Sequence, residues 1–162
     1  MPNSGTENLD RLTLERDLCF LEIIEGETDN LERQVCESKL LAMVKRSGIS
    51  IHSIEICAAG CFVIIHSRDV AALKTAARSF NVAVRVVEQC GRIAVRREAG
   101  GSSIPSLADV ISAFHDECLP IVHVSANDTE MFVLVHGAEL HSATAIMKLL
   151  CASAPAPAQV AA

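Results

Sequence analysis

Two histidines and two cysteines lie close together in the sequence, between positions 52 and 66. Cys57 and Cys61, with His52 and His66 nearby, are of the residue types that bind zinc. Their spacing matches no known zinc motif, and side chains on a strand alternate between faces, so these four need not meet. Free cysteine is among the most often buried residue types. We therefore expect buried thiols, partly buried histidines and no metal site.

Catalytic motifs are absent from the sequence. It contains no GxGxxG, P-loop, GxSxG or paired-histidine metal motif. A cysteine enzyme stays open, because sequence alone cannot pair a thiol with a histidine. Seven cysteines, an odd number, follow an N-terminal stretch without the apolar run of an export signal, which favours reduced thiols over disulfides. We expect no enzymatic activity and no cofactor.

Composition argues against nucleic acid and membrane as partners. The formal net charge is -6, and the basic residues are scattered among acidic ones. There is no Trp or Tyr and there are only five Phe, so few rings are available to stack on bases. No apolar run approaches the roughly 18 residues of a membrane span. These features predict a soluble, cytoplasmic protein with an aliphatic core.

The sequence repeats itself at an offset of seventy residues. GCFVIIHSRDVAALKTA, residues 60–76, is answered by EMFVLVHGAELHSATAI, residues 130–146. Apolar positions coincide at 49/119, 51/121, 54/124, 62/132, 63/133, 64/134 and 65/135, and His66 meets His136. At the same offset Ile23 falls over Ile93. So long an ungapped match predicts two copies of one structural unit.

The first copy has the order β-α-β-β-α-β. CFLEII predicts a strand, and apolar residues from Leu31 to Val44 recur at helical spacing before Gly48, a residue suited to ending a helix. ISIHSIEI alternates like a half-buried strand, and CFVIIH follows as the next strand. Ser67 or Asp69 can cap a helix through Arg78, and VAVRVVE supplies the last strand.

The second copy repeats this order but lacks its last strand. RIAVRR, IVHVSA and MFVLVH predict strands, with helices from Ser106 or its neighbours to Glu117 and from about Glu139 to Leu150. The Ala/Pro-rich end offers no further strand, so that strand must come from elsewhere or the sheet ends early. In VAVRVVEQCGRIAVRRE we expect two strands joined by a turn around Gly91.

The predicted fold class is α+β, with two tandem ferredoxin-like βαββαβ units whose antiparallel sheets carry helices on one face. We expect a disordered N-terminal segment at residues 1–17, units at 18–89 and 90–151, and a disordered Ala/Pro tail at 152–162. Units of about 70 residues bury proportionally little surface and are marginal alone. The two units are therefore expected to dock, within one chain or between chains.

Two tandem units with the segments SGISIHSIEICAAGCFVIIHSRDVAALKTA and CLPIVHVSANDTEMFVLVHGAELHSATAIMKLL resemble the paired ACT domains in the regulatory region of aspartate kinases. The resemblance spans about residues 18–150. It implies a non-catalytic regulatory protein that senses a small amino acid, of the lysine or threonine class, at the interface of paired units. It also implies a homodimer or a partner catalytic subunit, since no kinase domain is present.

The resemblance also implies where a ligand binds. In the family, backbone amides of a Gly-containing loop hold the carboxylate of the amino acid, and an acidic side chain or a carbonyl takes its ammonium. His52 stands where lysine-inhibited members carry an acidic residue. The remaining candidates are the polar residues that match the family's loops: Asp29, Asn30, Glu32, Gly100, Gly101, Ser102, Ser103, Asn127, Asp128 and Thr129.

Each candidate group also has a purely structural interpretation. Residues 100–103 suit a turn and a helix cap, residues 127–129 suit a hairpin turn, and residues 29–32 suit a solvated helix N-terminus. The Pro-Gly of the family's loop is replaced in the first unit by Gln34 and Val35. The alternative function is therefore a ligand-free assembly or dimerisation module that has lost effector binding.

Overall fold

The computed structural model describes residues 6–9, 11–24, 30–57, 60–96 and 104–153. The strands are β1 (Thr6–Leu9), β2 (Leu12–Ile24), β3 (Ile51–Cys57), β4 (Gly60–His66), β5 (Ala83–Arg96), β6 (His123–Ala126) and β7 (Glu130–His136). The helices are α1 (Asn30–Ser47), α2 (Val70–Ser79), α3 (Leu107–Asp116) and α4 (Leu140–Ser153). Short 3-10 turns, Ser67–Asp69 and Gly137–Glu139, precede α2 and α4.

The chain divides into two compact units. Each unit contains one end of β2, one end of β5 and two of the helices. One, here called the inserted unit, is Asp17–Gln89. The other, the split unit, combines Met1–Arg16 with Cys90–Ala162. The boundaries fall inside β2 and inside β5, so each long strand contributes its two ends to different units.

In the inserted unit the strand order is β3-β4-β2-β5, and β4 lies antiparallel to both β2 and β3. Alternate residues of the central strands point to the helices and form the core with one side of α1 and α2. Helix α1 ends as predicted, because Gly48 has φ 65° and its amide donates to the Val44 carbonyl at 3.2 Å. The core comprises Cys19, Leu21, Ile23, Met43, Cys61, Val63, Ile65, Val70, Leu73, Ala76 and Ala77.

A bulge interrupts β3 at His52. Ile51 pairs with Ile65 of β4 and Ser53 already pairs with Ile64, which leaves His52 as the extra residue. The bulge explains the sequence ISIHSIEI, in which two polar residues separate Ile51 from Ile54. The strict alternation expected for this strand is therefore wrong at His52 and Ser53, where the bulge shifts the register by one residue.

In the split unit the strand order is β6-β7-β5-β2, so the fourth strand comes from the chain that precedes the inserted unit. Leu12 and Leu14 of β2 are each 3% exposed and belong to the same core as Ile93, Val110 and Phe114. This strand takes the place of the last strand that the sequence pattern did not supply for the second copy. The expectation of a disordered segment over residues 1–17 is corrected here, because Leu12–Arg16 pairs and buries two leucines.

Strand β5 runs through Gly91 without a turn, so the expected hairpin there is wrong. A Cβ built on Gly91 would lie 2.7 Å from Cδ1 and 2.9 Å from Cδ2 of Leu140. Gly91 is glycine because the Leu140 side chain of α4 occupies that space, and not because the chain reverses. Gln89, two residues earlier, carries a positive φ of 57°.

The pairing registers revise the sequence alignment of the first strands. Leu21 pairs with Val63, whereas Ile93 pairs with Val133, the counterpart of Val63 at the offset of seventy. Leu21 and not Ile23 is therefore the counterpart of Ile93, and the offset is 72 in this strand. The connection through α1 must be two residues longer in the inserted unit than its counterpart through α3.

The ends of the other helices follow local chemistry. Ser106 caps α3 as predicted, because its Oγ accepts the Asp109 amide at 3.1 Å. Asp69 is the residue before α2, but its side chain makes no capping hydrogen bond. The expected tail at residues 152–162 begins inside α4, which reaches Ser153, and residues 154–162 lie outside the described part of the chain.

Candidate functional site

The polar turn at residues 127–129 is built around one oxygen atom. Asn127 Oδ1 accepts the amides of Thr129 at 2.9 Å and Glu130 at 2.8 Å, and also the Thr129 hydroxyl at 2.9 Å. The Asn127 amide donates to the Glu130 carbonyl at 2.9 Å, which closes the turn between β6 and β7. Asn127, Asp128 and Thr129 are exposed at this turn. Asn127 Oδ1 thus already accepts three hydrogen bonds from the turn.

Several other predicted site residues cannot be placed as side chains. Asp29, Gly100, Gly101, Ser102 and Ser103 lie outside the described residues. Asn30 and Glu32 lie in the first turn of α1, and only their backbone is described. The interpretation of residues 29–32 and 100–103 therefore stays a prediction.

His52 meets His66, which the sequence analysis did not foresee. Their Nε2 atoms are 2.9 Å apart, and the rings lie nearly perpendicular at 88° with centroids 4.3 Å apart. The pair lies where β3 and β4 run side by side, and His52 is exposed while His66 is half-buried. One imidazole must donate and the other accept, because two nitrogens of the same protonation state cannot form a hydrogen bond.

One of the two cysteines in the same stretch is a core residue. Cys61 is 2% exposed and points into the core of the inserted unit, as expected for a buried thiol. The side chain of Cys57 is outside the described part of the structure. Within the described residues, no group of three or more His, Cys, Asp or Glu side chains is placed to hold a metal ion.

A charged cluster in the split unit was missed by the sequence analysis. Arg92 donates from Nη1 to Glu15 at 2.9 Å and from Nη2 to Glu130, and Arg96 also donates to Glu130, at 2.9 Å. The Arg92 guanidinium lies over the Phe132 ring, 4.5 Å from its centroid. The side chains of Arg92, Glu15 and Glu130 are only 13%, 16% and 19% exposed. No sequence signal pointed to it, because the strand that carries Glu15 was not predicted.

This cluster is structural in character. It ties β2 to β5 and β5 to β7, the three adjacent strands of the split unit. Its carboxylates are already paired with arginines, and partly buried ion pairs of this kind fix the register of strands more than they add stability. We assign it no ligand.

A shallow groove lies between α1 and α2 of the inserted unit. Its volume is about 530 Å³, and the Arg46 guanidinium at its rim lies 6.0 Å from the centroid of the Phe80 ring. None of the described lining residues is acidic, so the groove has no carboxylate for the ammonium of an amino acid. The lining residues are Arg46, Ser47, Ala71, Ala72, Thr75, Ala76 and Ser79.

The described cysteines carry free thiols, and most of them are buried. Cys19, Cys61, Cys90 and Cys151 are buried, whereas Cys118 is exposed at the end of α3. Burial raises the pKa of the Cys151 thiol above its ordinary value, and the nearby Arg11 guanidinium opposes this in part. Buried, protonated thiols are poor nucleophiles.

Among the described helices, none is long and apolar enough to cross a membrane.

The architecture defines the class of protein to which this fold belongs. Two ferredoxin-like units, each with an antiparallel sheet and helices on one face, form the tandem ACT-type arrangement that the sequence predicted, and the expected fold class is confirmed. No family model and no curated protein matches the sequence. The assignment of the fold therefore comes from solved structures.

Solved structures with a similar fold include aspartate kinases and their regulatory parts. The regulatory subunit of aspartate kinase from Thermus thermophilus superimposes with a TM-score of 0.65 at 13% identity, covering 86% of this chain and 95% of that one. A putative C-terminal regulatory domain of aspartate kinase from Porphyromonas gingivalis W83 gives 0.65 at 12% identity, covering 92% and 99%. The expected resemblance to this regulatory region is thus confirmed at the level of the fold.

Whole kinases match over a part of their length. The aspartate kinase of Clostridium acetobutylicum superimposes with a TM-score of 0.69 at 12% identity, and the match covers 87% of this chain but 34% of the kinase. This chain therefore spans about a third of a whole kinase and nearly the full length of separate regulatory chains.

Proposed function

We propose that this chain is a non-catalytic regulatory protein of the ACT type that senses a small amino acid, of the lysine or threonine class, where paired units meet. One observation carries the proposal: the chain covers 95% of a solved aspartate kinase regulatory subunit with the same fold. An E. coli aspartokinase III with this fold was solved in complex with lysine and aspartate. Its partner in this proposal is a second copy of the chain or a separate catalytic subunit in the cytoplasm.

The proposed recognition uses backbone donors near a helix N-terminus. The glycines and serines at 100–103 precede α3, and free amides in such a position bind a carboxylate well. His52 replaces the acidic residue of lysine-inhibited relatives, which favours an uncharged amino-acid side chain over that of lysine. Asp29, Asn30 and Glu32 remain proposed contacts for an ammonium group.

A second candidate function is favoured by the turn at residues 127–129. Asn127 Oδ1 accepts three hydrogen bonds within its own turn, so Asn127 and Thr129 have a structural role there without a ligand. Together with the lost Pro-Gly in the first unit, this supports an assembly module that joins subunits without an effector. In that case the chain keeps the fold and the pairing of units but has no ligand.

A thermal-shift screen against the twenty standard amino acids separates the two functions. A ligand at 100 times its dissociation constant should stabilise the folded chain by about 2.7 kcal/mol, which raises the melting temperature by several degrees. The D-enantiomer of any hit is the control, because it presents the same charges with the wrong geometry. A shift with one L-amino acid supports sensing, and none with all twenty leaves the assembly function alone.

A further inference from the structure

We infer that His52, which is also a candidate contact of the proposed amino-acid ligand, and His66 form a binding site for a divalent late transition-metal ion such as Zn²⁺, whether or not that ligand binds. Imidazole nitrogen is a preferred ligand of Zn²⁺, Ni²⁺ and Cu²⁺. The two rings lie on adjacent strands, and both reach solvent, because His52 is exposed and His66 is half-buried. An ion can therefore reach them without unfolding the unit.

The separation of the two nitrogens fits a shared ion. At metal-nitrogen distances of about 2.0–2.1 Å, two ligands at 90° to 109° lie about 2.9–3.4 Å apart. The Nε2 atoms of His52 and His66 are 2.9 Å apart. Small side-chain rotations are enough to cover the rest of that range.

The orientation of the rings also departs from a simple hydrogen bond. Two imidazoles joined head to head along their nitrogen axes would have centroids farther apart than the 4.3 Å observed. At least one nitrogen axis is therefore bent away from the line between the two Nε2 atoms, which is compatible with both rings turning toward a third point. The nearly perpendicular rings, at 88°, keep the two imidazoles from clashing when both turn toward one ion.

The backbone of β3 and β4 positions the two histidines next to each other. The bulge in β3 makes His52 the extra residue opposite β4, and bulges commonly redirect a side chain next to a functional site. His66 is the last residue of β4, directly before the 3-10 turn Ser67–Asp69. No third His, Cys, Asp or Glu of the described residues joins the pair, so the remaining coordination positions are left to water or a small ligand.

The split unit supplies a matched control. His136 ends β7 as His66 ends β4, but Val122 occupies the position seventy residues after His52. The same fold thus carries one histidine in place of two. A single exposed imidazole binds a metal ion far more weakly than a chelating pair, so His136 should not respond to the ion.

The test follows the histidine ring nitrogens by ¹⁵N NMR while Zn²⁺ is added near neutral pH. Zinc is chosen because it has no redox chemistry that could oxidise the thiols. The signals of His52 and His66, assigned from His52→Gln and His66→Gln, are expected to move together and saturate at one equivalent. Each substitution should weaken this site at least about tenfold, given that losing even a supporting group costs 10–100-fold.

His136→Gln must leave zinc binding at the pair unchanged, and circular dichroism checks that each variant is folded. Because His52 and His66 lie at the surface, glutamine in their place should not disturb the core. The inference is overturned if zinc leaves both ring signals in place while other groups, such as the exposed Cys118, take up the ion. It is equally overturned if His136→Gln weakens binding as much as His52→Gln does.

Discussion

The two units place different chemistry at the same position of the same fold. In the inserted unit Phe20 stacks on Phe62, with centroids 5.6 Å apart and ring planes 15° from parallel. The registers make Arg92 the counterpart of Phe20 in the split unit, and its guanidinium lies over Phe132, the counterpart of Phe62. A ring and a planar cation are thus interchangeable on an aromatic face, because both present a flat surface to it.

A second exchange concerns volume. Cys19 and Val70 occupy the core of the inserted unit, and their counterparts in the split unit are Gly91 and Leu140. In the split unit the strand residue is smaller, glycine in place of cysteine, and the helix residue is larger by one methylene, leucine in place of valine. At these positions the two units keep the same backbone pairing with complementary pairs of different residues.

The largest effect is expected from the borrowed strand. Leu14→Ala removes a side chain that is 3% exposed in the core of the split unit and should lower the free energy of unfolding by about 2–5 kcal/mol. Val84→Ala, in the fourth strand of the inserted unit, is the matched change at a half-buried residue and should cost about 1 kcal/mol. Urea unfolding measures both, and equal costs would contradict the role given to β2.

Arg92→Met should cost about 2–3 kcal/mol, because it removes the Arg92 guanidinium from two partly buried carboxylates, of which Glu130 keeps Arg96, while preserving the packing on Phe132. Arg85→Met is the matched change in the inserted unit, where the Arg85–Glu22 pair is 69% and 31% exposed. Its cost should stay within about 0.2–1 kcal/mol and vanish in high salt. Denaturant unfolding at two salt concentrations checks this, and a salt-sensitive Arg92 effect as small as that of Arg85 would refute it.

Gly91→Ala should destabilise the protein by about 1–3 kcal/mol, because the new methyl group overlaps Leu140. Leu140→Val imitates the inserted unit and makes room for it. The double variant should therefore be more stable than the sum of the two single changes predicts, as a double-mutant cycle from thermal unfolding can show. Strict additivity would mean that the two residues do not compensate each other.

The smallest effect is expected on the pH dependence of stability, through the Cys151 thiol. The pKa of Cys151 is raised in the folded chain, so the unfolded thiol ionises first as the solution becomes alkaline. The stability contributed by the protonated thiol is fully present below the unfolded pKa, near 9.0, and is lost as the pH rises through the folded value. Unfolding measured on either side of this range should decline less in Cys151→Ala than in the parent, and identical declines would exclude the thiol as the cause.

Local pattern predicted much of the fold. Gly48 and Ser106 were read correctly as helix ends because the preferences of caps act over a few residues, and the duplicated strands were visible as matching apolar positions. The source of the fourth strand in the split unit could not be read, because pairing between Leu12–Arg16 and β5 joins segments far apart in sequence. The turn predicted at Gly91 was wrong for the same reason, since the Leu140 side chain that requires a glycine there lies 49 positions away in the sequence.

The candidate site was less accessible to sequence reasoning. His52 was named as a contact on the strength of resemblance, but its approach to His66 depends on a bulge that shifts the register of β3 by one residue. The turn at Asn127 was read from composition, and only coordinates show how completely its oxygen is used. Contacts between side chains of neighbouring strands therefore cannot be predicted from the spacing of residues along one strand.

The borrowed strand also bears on how the protein is made. A ribosome releases Leu12–Arg16 early, yet the partners of that strand are translated only after the whole inserted unit, and α4 comes later still. The inserted unit can begin to fold during translation, as domains usually do in chain order. The split unit cannot fold until its final helix has been synthesised. We therefore expect it to fold later and more slowly than the inserted unit.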